Sequence, residues 1–276
     1  MNPAFDADTL TRSLREATSD TWVFDDGTLR GHLYGALLAN ELHGNGVWIG
    51  PDGVSFDDTD VLAALYSVAG TRWIDRGALE HYVWTLDVPA STGPWYELGF
   101  ARMHLRGVLA LSTREERALA ANYTLRRGGP ADVDAAVALD DELDAAQRLG
   151  PSFSVGLQHS TKREELLETL LDPEVHHYVV EASGDVVAQC LTFPLPPRRG
   201  SFEHTLHLSA VSVRASHRGR GVASAMVDHA LANARRAGFK YVETNWRVTN
   251  RRAQRFWRNY GFEPTYVRLH RTIGAG

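Results

Sequence analysis

The chain contains a single cysteine, Cys190, among its 276 residues. One thiol cannot form an internal disulfide, and it is too few for a cysteine-rich metal site. The histidines of the first half show neither H-E-x-x-H nor any other paired metal-ligand spacing. We therefore expect no bound metal, and a single cysteine is consistent with a reducing compartment.

Long apolar segments are also missing. No apolar run approaches the roughly 18–20 residues that a membrane helix needs, and the first thirty residues lack the apolar centre of a signal peptide. Hydrophobic residues make up 43% of the chain and charged residues 23%, which is enough apolar material for one large domain or two ordinary ones. We expect a folded protein without a membrane span, located in the cytoplasm.

The net charge of -5 hides an uneven distribution. Residues 214–271 contain 13 Lys and Arg side chains against three carboxylates, so the remainder is strongly acidic. A local basic region in an acidic protein suggests a polyanionic ligand, either nucleic acid or a phosphate-rich cofactor. A solvated basic helix face would give the same composition.

The two halves of the sequence share an outline. Residues 178–193 predict two strands around the turn Ser183-Gly184-Asp185, and residues 22–37 repeat this pattern around Asp25-Asp26-Gly27. Residues 222–262 then predict a helix, a strand and a short helix, and residues 61–100 follow the same order. This weak similarity at a separation near 160 residues indicates two related domains.

We expect a first domain over residues 1–112, a linker helix over 113–121 and a second domain over 122–276. The second domain should open with a strand at Tyr123 and continue with helices over 130–149 and 162–171. The first of these helices carries an acidic cluster, which is either an exposed face or an attraction for a cationic amine: Asp140, Asp141, Glu142 and Asp144.

A strand, a basic loop and a helix follow one another in the second half. The strand is predicted over Leu206–Val213, the loop runs to Gly221, and the helix begins at Val222 with apolar residues at a period near 3.6. The free amides at a helix start and the glycines before them suit a pyrophosphate. An ordinary strand-to-helix turn is the alternative. Neither G-x-x-x-x-G-K-[ST] nor G-x-G-x-x-G is present.

Two motifs in this region resemble the GNAT superfamily of N-acetyltransferases. Arg218-Gly219-Arg220-Gly221-Val222-Ala223 is similar to that family's loop [QR]-x-x-G-x-[GA]. Residues 250–262 contain its later pattern, N-x-x-A-x-x-x-aromatic-x-x-x-G-F. The resemblance covers about residues 123–273. It implies an α/β (α+β) fold of two GNAT-like domains, each with a mixed, mainly antiparallel central sheet flanked by helices.

The resemblance implies acetyl-CoA as co-substrate. The backbone from Val211 to Val213 would bind the pantetheine arm, and the loop and first helical turn would hold the pyrophosphate. The implied cofactor residues are Val211, Ser212, Val213, Arg218, Gly219, Arg220, Gly221, Val222, Ala223, Ser224, Asn250, Ala253 and Trp257. Arg251, Arg252 and Arg255 are candidate partners of the CoA ribose phosphate, on charge alone.

The match fails where the family places its acid and base. Trp257 stands in place of a Tyr that protonates the leaving thiolate, and an indole N–H is not a useful acid. Thr205 stands where the family often has a Glu. Our candidates for catalysis are therefore Tyr260, His207 and Glu243. His207 is expected on the same strand face as Val211 and Val213. Tyr260 has the alternative of a core aromatic, and His207 that of a packed strand histidine.

We expect no cofactor loop in the first half, because Asp57-Asp58-Thr59-Asp60 aligns with residues 218–221. Carboxylates there would repel a pyrophosphate, and no glycine opens the backbone. Little helix is expected before Trp95-Tyr96-Glu97-Leu98-Gly99-Phe100, the counterpart of the second motif. We expect a degenerate GNAT-like domain that completes an acceptor cleft or packs against its partner.

The predicted function is transfer of an acetyl group from acetyl-CoA to a primary amine of a small molecule, by direct attack in a ternary complex. The expected partner is that amine, without nucleic acid or membrane, and the protein is expected as a monomer or homodimer. Acetylation of a protein amine and a non-catalytic acyl-CoA-binding module remain open. A nucleic-acid binder is the third class, but the basic stretch lacks an exposed pattern of stacking aromatics.

Overall fold

The computed structural model describes residues 14–18, 21–40, 44–113, 115–154, 161–196 and 202–274. The chain forms two compact units. Unit 1 contains residues 1–105 and 264–276, and unit 2 contains residues 106–263. The C-terminal segment thus belongs to unit 1, whereas the sequence pattern placed it with the second domain. The strand in this segment pairs with a strand of unit 1 about 180 residues earlier, and no local sequence pattern predicts that pairing.

In its described residues, unit 1 contains a four-stranded sheet, strands of a larger sheet and two helices. The first sheet is antiparallel, in the order β1-β2-β3-β6, and the second includes β4-β5-β7-β14, in which only β5 and β7 pair in parallel. The elements are β1 (Leu14–Thr18), β2 (Thr21–Asp25), β3 (Arg30–Tyr34), β4 (Ala36–Asn40), β5 (Gly44–Ile49), β6 (Val54–Phe56), α1 (Thr59–Asp75), β7 (Glu80–Leu86), α2 (Pro89–Glu97), the first half of β8 (Ala101–Ala110), and β14 (Glu263–Thr272).

The core of unit 1 forms around one face of α1. Val61, Leu65 and Trp73 are fully buried, at helical spacing. Gly31 on β3 allows this contact, because a Cβ there would lie 2.6 Å from a methyl carbon of Val61. Trp73 also meets the ring of Trp22 edge to face at 5.7 Å. Large-to-small changes at these buried positions would leave cavities.

Unit 2 contains one sheet with helices on it. Its strands include β13-β12-β11-β10-β9 in that order, antiparallel except for the parallel pair β12 and β13. The elements are the second half of β8, β9 (Thr124–Arg127), α3 (Val133–Arg148), α4 (Lys162–Leu171), β10 (His176–Ala182), β11 (Asp185–Pro194), β12 (Thr205–Val213), α5 (Val222–Arg236), β13 (Tyr241–Arg247) and α6 (Arg251–Tyr260). The predicted class, mixed sheets flanked by helices, is confirmed.

The predicted linker helix over residues 113–121 is wrong. The described residues of this stretch, all except 114, form no helix. The backbone N–H of Arg117 donates to the Asp228 carboxylate of α5 at 3.1 Å, and Glu116 lies 3.1 Å from Nδ1 of His229. An isolated helix of this length is marginal in water, so contacts with a neighbouring helix decide the conformation.

A helix also forms where little helix was expected, before the Leu98-Gly99-Phe100 ending of the first half. It is α2, which begins at Pro89 in the first helical turn, where the missing N–H of proline costs nothing. The poor helix formers Gly93 and Pro94 weakened the sequence signal. Burial of Trp95, which is fully inaccessible, anchors the helix against the core of unit 1.

No helix in the described part of the chain is long and apolar enough to cross a membrane. Within those same residues, no group of three or more His, Cys, Asp and Glu side chains is placed to hold a metal ion.

Candidate functional site

The two parallel strands of unit 2 separate along their length. β12 and β13 pair only from Thr205–His207 on one strand to Tyr241–Glu243 on the other. Just beyond, the Thr244 hydroxyl donates to the backbone oxygen of Leu208 at 2.8 Å, as the last link between them. The later part of β12 therefore has a backbone edge that does not pair with β13, and a linear ligand with amide groups can hydrogen-bond to it.

A bulge in β12 lies at the start of this free edge. Leu191 of β11 pairs with Ser209, but Gln189 pairs with Ser212, so β12 contains one extra residue. Ala210 has a φ of 49° at this point. The bulge reverses the alternation of side chains in the strand beyond it.

The bulge corrects one sequence prediction. His207 pairs with Phe193 and so shares the face of Leu191 and Gln189, whereas Val211 and Val213 lie on the other face. The shared face packs against α3 and α4, because the Gln189 amide donates to the Ala136 oxygen of α3 at 3.0 Å and Leu191 packs in one cluster with Leu170 of α4. Alternation counted along the sequence cannot detect an inserted residue.

The loop after β12 is open at its glycines. Gly219 and Gly221 have φ values of 76° and 80°, and a Cβ at either position would meet nothing within 4 Å. Gly221 is also the residue that precedes α5, and it has no side chain with which to cap the helix. The first amides of α5 are thus left for a ligand, and the helix dipole makes this end attractive to an anion.

Arg218 is held across the end of β12. Its Nε donates to the Val213 oxygen at 2.9 Å, and its Nη2 lies 3.5 Å from Oε1 of Glu142 on α3. The same carboxylate oxygen accepts from the Ala215 N–H at 2.5 Å. Glu142, which the sequence placed in an acidic surface cluster, therefore orders the loop that begins at Ala215.

A cavity of about 1010 Å³ lies along the free edge of β12, the loop and the two following helices. Every predicted cofactor residue lines it except Arg220 and the candidate phosphate partner Arg255. The side chain of Arg220, between the two left-handed glycines, is exposed instead. The lining residues are Leu143, Ala146, Gln147, Leu149, Gly150, Pro151, Ser152, Val211, Ser212, Val213, His217, Arg218, Gly219, Gly221, Val222, Ala223, Ser224, Thr249, Asn250, Arg251, Arg252, Ala253, Phe256 and Trp257.

One wall of the cavity is formed by residues that no sequence motif predicted. It is formed by the end of α3 and the turn that follows, residues 143–152. Arg247 at the end of β13 donates to the Gln147 side chain at 2.8 Å, and the hydroxyls of Thr249 and Ser152 lie 3.3 Å apart. These contacts join segments about a hundred residues apart, so no local motif marks them.

The opposite wall is α6. Asn250 caps the helix, since its side-chain oxygen accepts from the Ala253 N–H at 3.0 Å. Trp257 is 5% exposed and its ring packs edge to face on Phe262 at 5.2 Å. The helix ends at Gly261 with a φ of 98°, the left-handed cap that glycine favours.

Tyr260 lies outside the cavity lining. Its buried hydroxyl donates to the Asp228 carboxylate, and it lies 3.1 Å from the Ser224 oxygen. The guanidinium of Arg117 lies 5.3 Å from the centre of the ring. This placement agrees with the core-aromatic alternative and gives the general-acid prediction for Tyr260 no support.

His207 and Glu243 face each other at the last paired position of the two strands. Nδ1 of His207 is 3.6 Å from Oε1 of Glu243, and the imidazole packs on the Phe193 ring at 5.0 Å. Arg106 of β8 is 3.3 Å from the same carboxylate oxygen. Both predicted residues lie beyond the cavity lining, at the point where the strand gap closes.

Residues 143–262 match the family described as Acetyltransferase (GNAT) family. Among similar solved structures, a GCN5-related N-acetyltransferase from Kribbella flavida is 14% identical, with a TM-score of 0.56 over 98% of this chain and 93% of that one. One from Sphaerobacter thermophilus is 17% identical, with a TM-score of 0.60 over 95% and 83%. A tandem GNAT protein from the clavulanic acid biosynthesis pathway is 17% identical, with a TM-score of 0.57 over 97% and 88%.

No curated protein sequence matches the chain significantly. Identities this low establish the fold, and the resemblance read from the loop and from residues 250–262 is confirmed.

Proposed function

We propose that this chain, in which residues 143–262 match the GNAT acetyltransferase family, binds acetyl-CoA in the cavity of unit 2 and transfers the acetyl group to a primary amine of a small molecule. The observation that carries the proposal is the strand gap. It runs from the uncapped start of α5 to the closed end at His207 and Glu243.

The length of this gap favours a long, linear co-substrate. From Val213 to His207 the strand covers six residues, or about 20 Å at roughly 3.3 Å per residue. A compact nucleotide would fill only the end near the loop. A pantetheine arm uses the free amide edge of β12 and brings its thioester toward the closed end, while its diphosphate stays at the glycines.

In this arrangement the residues have separate tasks. The backbone of Val211, Ser212 and Val213 hydrogen-bonds the arm. Arg218 and the amides that follow Gly221 neutralise the diphosphate. Arg251 and Arg252 line the same cavity and suit the ribose phosphate. The other residues assigned to the co-substrate are Gly219, Val222, Ala223, Ser224, Asn250, Ala253 and Trp257.

The chemistry is direct attack of the amine on the thioester carbon. Cys190 cannot serve as an acyl carrier, because burial raises the pKa of its thiol far above the ordinary value and no part of it is exposed. The amine loses a proton as it attacks, and His207 is the group we assign to accept it. The leaving thiolate is stable enough to depart with little acid help, since an ordinary thiol has a pKa of about 8.5.

The binding step is tested with two glycine variants at the two ends of α5. Gly221→Glu puts a carboxylate and a strained backbone at the diphosphate, so acetyl-CoA should no longer raise the melting temperature. Gly238→Glu is the matched control, because Gly238 has a similar φ of 89° and equally open surroundings. If acetyl-CoA raised the melting temperature of both variants equally, it would not bind at the start of α5, and the proposal would be wrong.

Catalysis is tested by the release of free CoA thiol with a panel of primary amines, including peptides with free amino termini. Faster release with a small amine supports the proposed substrate class, whereas a peptide as the best acceptor shifts the assignment to protein acetylation. Acetyl-CoA binding without amine-dependent thiol release would indicate an acyl-CoA-binding module instead.

A further inference from the structure

We propose that Arg106 is a positioning residue for the reaction, because it holds the Glu243 carboxylate against one nitrogen of His207 and leaves the other nitrogen as the base. This inference rests on the proposed function for its catalytic consequence. Its structural part, the protonation pattern of the His207 ring, can be measured without any turnover.

The three side chains form a row across adjacent strands of unit 2. β8, β13 and β12 are neighbours in that order, and each contributes one of the three groups. A single oxygen, Oε1 of Glu243, lies 3.3 Å from Nε of Arg106 and 3.6 Å from Nδ1 of His207. The carboxylate is thus shared between a permanent cation and an imidazole.

The row is well shielded from water. The side chains of Arg106, Glu243 and His207 are 16%, 5% and 12% exposed. A carboxylate buried to this extent is costly to keep charged unless a cation accompanies it. Arg106 supplies that charge, and a guanidinium cannot lose its proton under ordinary conditions. Glu243 is consequently held as an ion, which can only accept hydrogen bonds.

The ionised state of Glu243 decides where the proton of His207 resides. Nδ1 is buried and makes no hydrogen bond with the described residues, and the Glu243 oxygen is the polar group that it faces. Facing an acceptor, Nδ1 is expected to carry the proton, which leaves Nε2 with a free lone pair. Phe193 covers one side of the ring and offers no competing polar contact.

Without Arg106, we expect the proton of the His207 ring to move from Nδ1 to Nε2. A buried carboxylate that has lost its cation favours the neutral acid, and the acid donates its proton to Nδ1. The ring then carries its own proton on Nε2, which cannot accept another from the attacking amine. The same side chains remain in place, but the basic nitrogen is the wrong one.

The test compares Arg106→Met with Arg106→Lys, which keeps the charge. In Arg106→Met we expect kcat to fall by roughly a hundredfold, the usual scale of a lost general base, with KM for acetyl-CoA unchanged. Arg106→Lys should recover most of that loss. A purely structural role for Arg106 would instead lower the melting temperature and leave kcat per folded molecule near the wild-type value.

Nitrogen NMR of the His207 ring provides the second readout. The wild-type ring should carry its proton on Nδ1, and the Arg106→Met ring on Nε2. A wild-type ring protonated on Nε2 overturns the inference, even if Arg106→Met does not fold. If no amine supports turnover, the acetyl-transfer proposal fails, and the NMR result still decides whether Arg106 fixes the ring.

Discussion

The two units each place a helix after a sheet, but they treat the start of that helix in opposite ways. In unit 1 the Asp58 side chain accepts from the Asp60 N–H at 2.8 Å at the start of α1, and Asp57 accepts from the Arg30 N–H at 2.9 Å. In unit 2 the start of α5 is Gly221, which has no side chain to offer.

The difference shows how the start of a helix can either exclude or accept a phosphate, depending on the residue that precedes it. A capping carboxylate satisfies one of the free amides of α1 and adds negative charge, which stabilises the helix and repels an anion. A glycine leaves the amides of α5 free, at some cost to the helix. That unit 1 is a degenerate GNAT-like domain stays a prediction, and this contrast supports it.

The largest expected effect comes from placing a carboxylate in the loop before α5, as unit 1 has before α1. Arg218→Asp should weaken acetyl-CoA binding by roughly a hundredfold, because a cation beside the diphosphate becomes an anion. Arg220→Asp makes the same charge change outside the cavity lining and should cost much less. Isothermal calorimetry of both variants decides this, and equal losses would mean that only the overall charge matters.

Acidification should destabilise both units through one buried histidine in each. Burial lowers the pKa of His81 in unit 1 and of His177 in unit 2 below the usual value. The folded state therefore binds fewer protons than the unfolded state. The stability is fully present above the ordinary pKa of about 6.5 and is lost as the pH falls below it.

Urea unfolding between pH 7.5 and 5.5 measures this effect. Each histidine contributes a slope of at most about 1.4 kcal/mol per pH unit. His81→Gln and His177→Gln should each flatten the pH dependence, although both lower stability at neutral pH. A wild-type stability that stays constant over this range would contradict the expectation.

Removing the cap of α1 should have a smaller effect, confined to stability. Asp58→Ala is expected to lower the free energy of unfolding by about 1 kcal/mol, through loss of the side-chain bond to Asp60 N–H. Asp58→Asn keeps a capping oxygen and should stay close to wild type. Acetyl-CoA affinity, measured in parallel, should not change in either variant, and a change would connect this helix to the cofactor.

The smallest expected effect is a gain in affinity. Glu142→Gln keeps an oxygen for the Ala215 N–H but removes the negative charge near Arg218. Acetyl-CoA should bind about two- to fivefold more tightly, which corresponds to less than about 1 kcal/mol for a partly exposed pair. Weaker binding by calorimetry would show that the charge orders the loop more than it competes with the phosphate.

Much of the site could be predicted because its parts are local. The glycines at 219 and 221 and the helix from Val222 lie within one short segment, and backbone sterics alone favour glycine at positive φ. The strands at 178–193 and the helix at 162–171 also follow from residue pattern and turn chemistry.

The failures share a different cause, which is dependence on distant partners. The described residues of 113–121 contact α5 and form no helix, and α2 is stabilised by the burial of Trp95. The face of His207 was misjudged because the bulge at Ala210 is visible only from pairing with β11. The role of Tyr260 as an acid stays a prediction, and its hydroxyl is bonded to Asp228 on another helix.

The sequence by itself determined the resemblance to the GNAT superfamily, the fold class and the open loop before α5, since each depends on a few neighbouring residues whose conformation is limited by local sterics and hydrogen bonding. Only the tertiary structure decided that β12 and β13 separate after His207, that the end of α3 forms a wall of the cavity, and that Arg106 reaches Glu243. These features depend on which distant strands become neighbours, and that is set by burial of the whole core rather than by any local pattern.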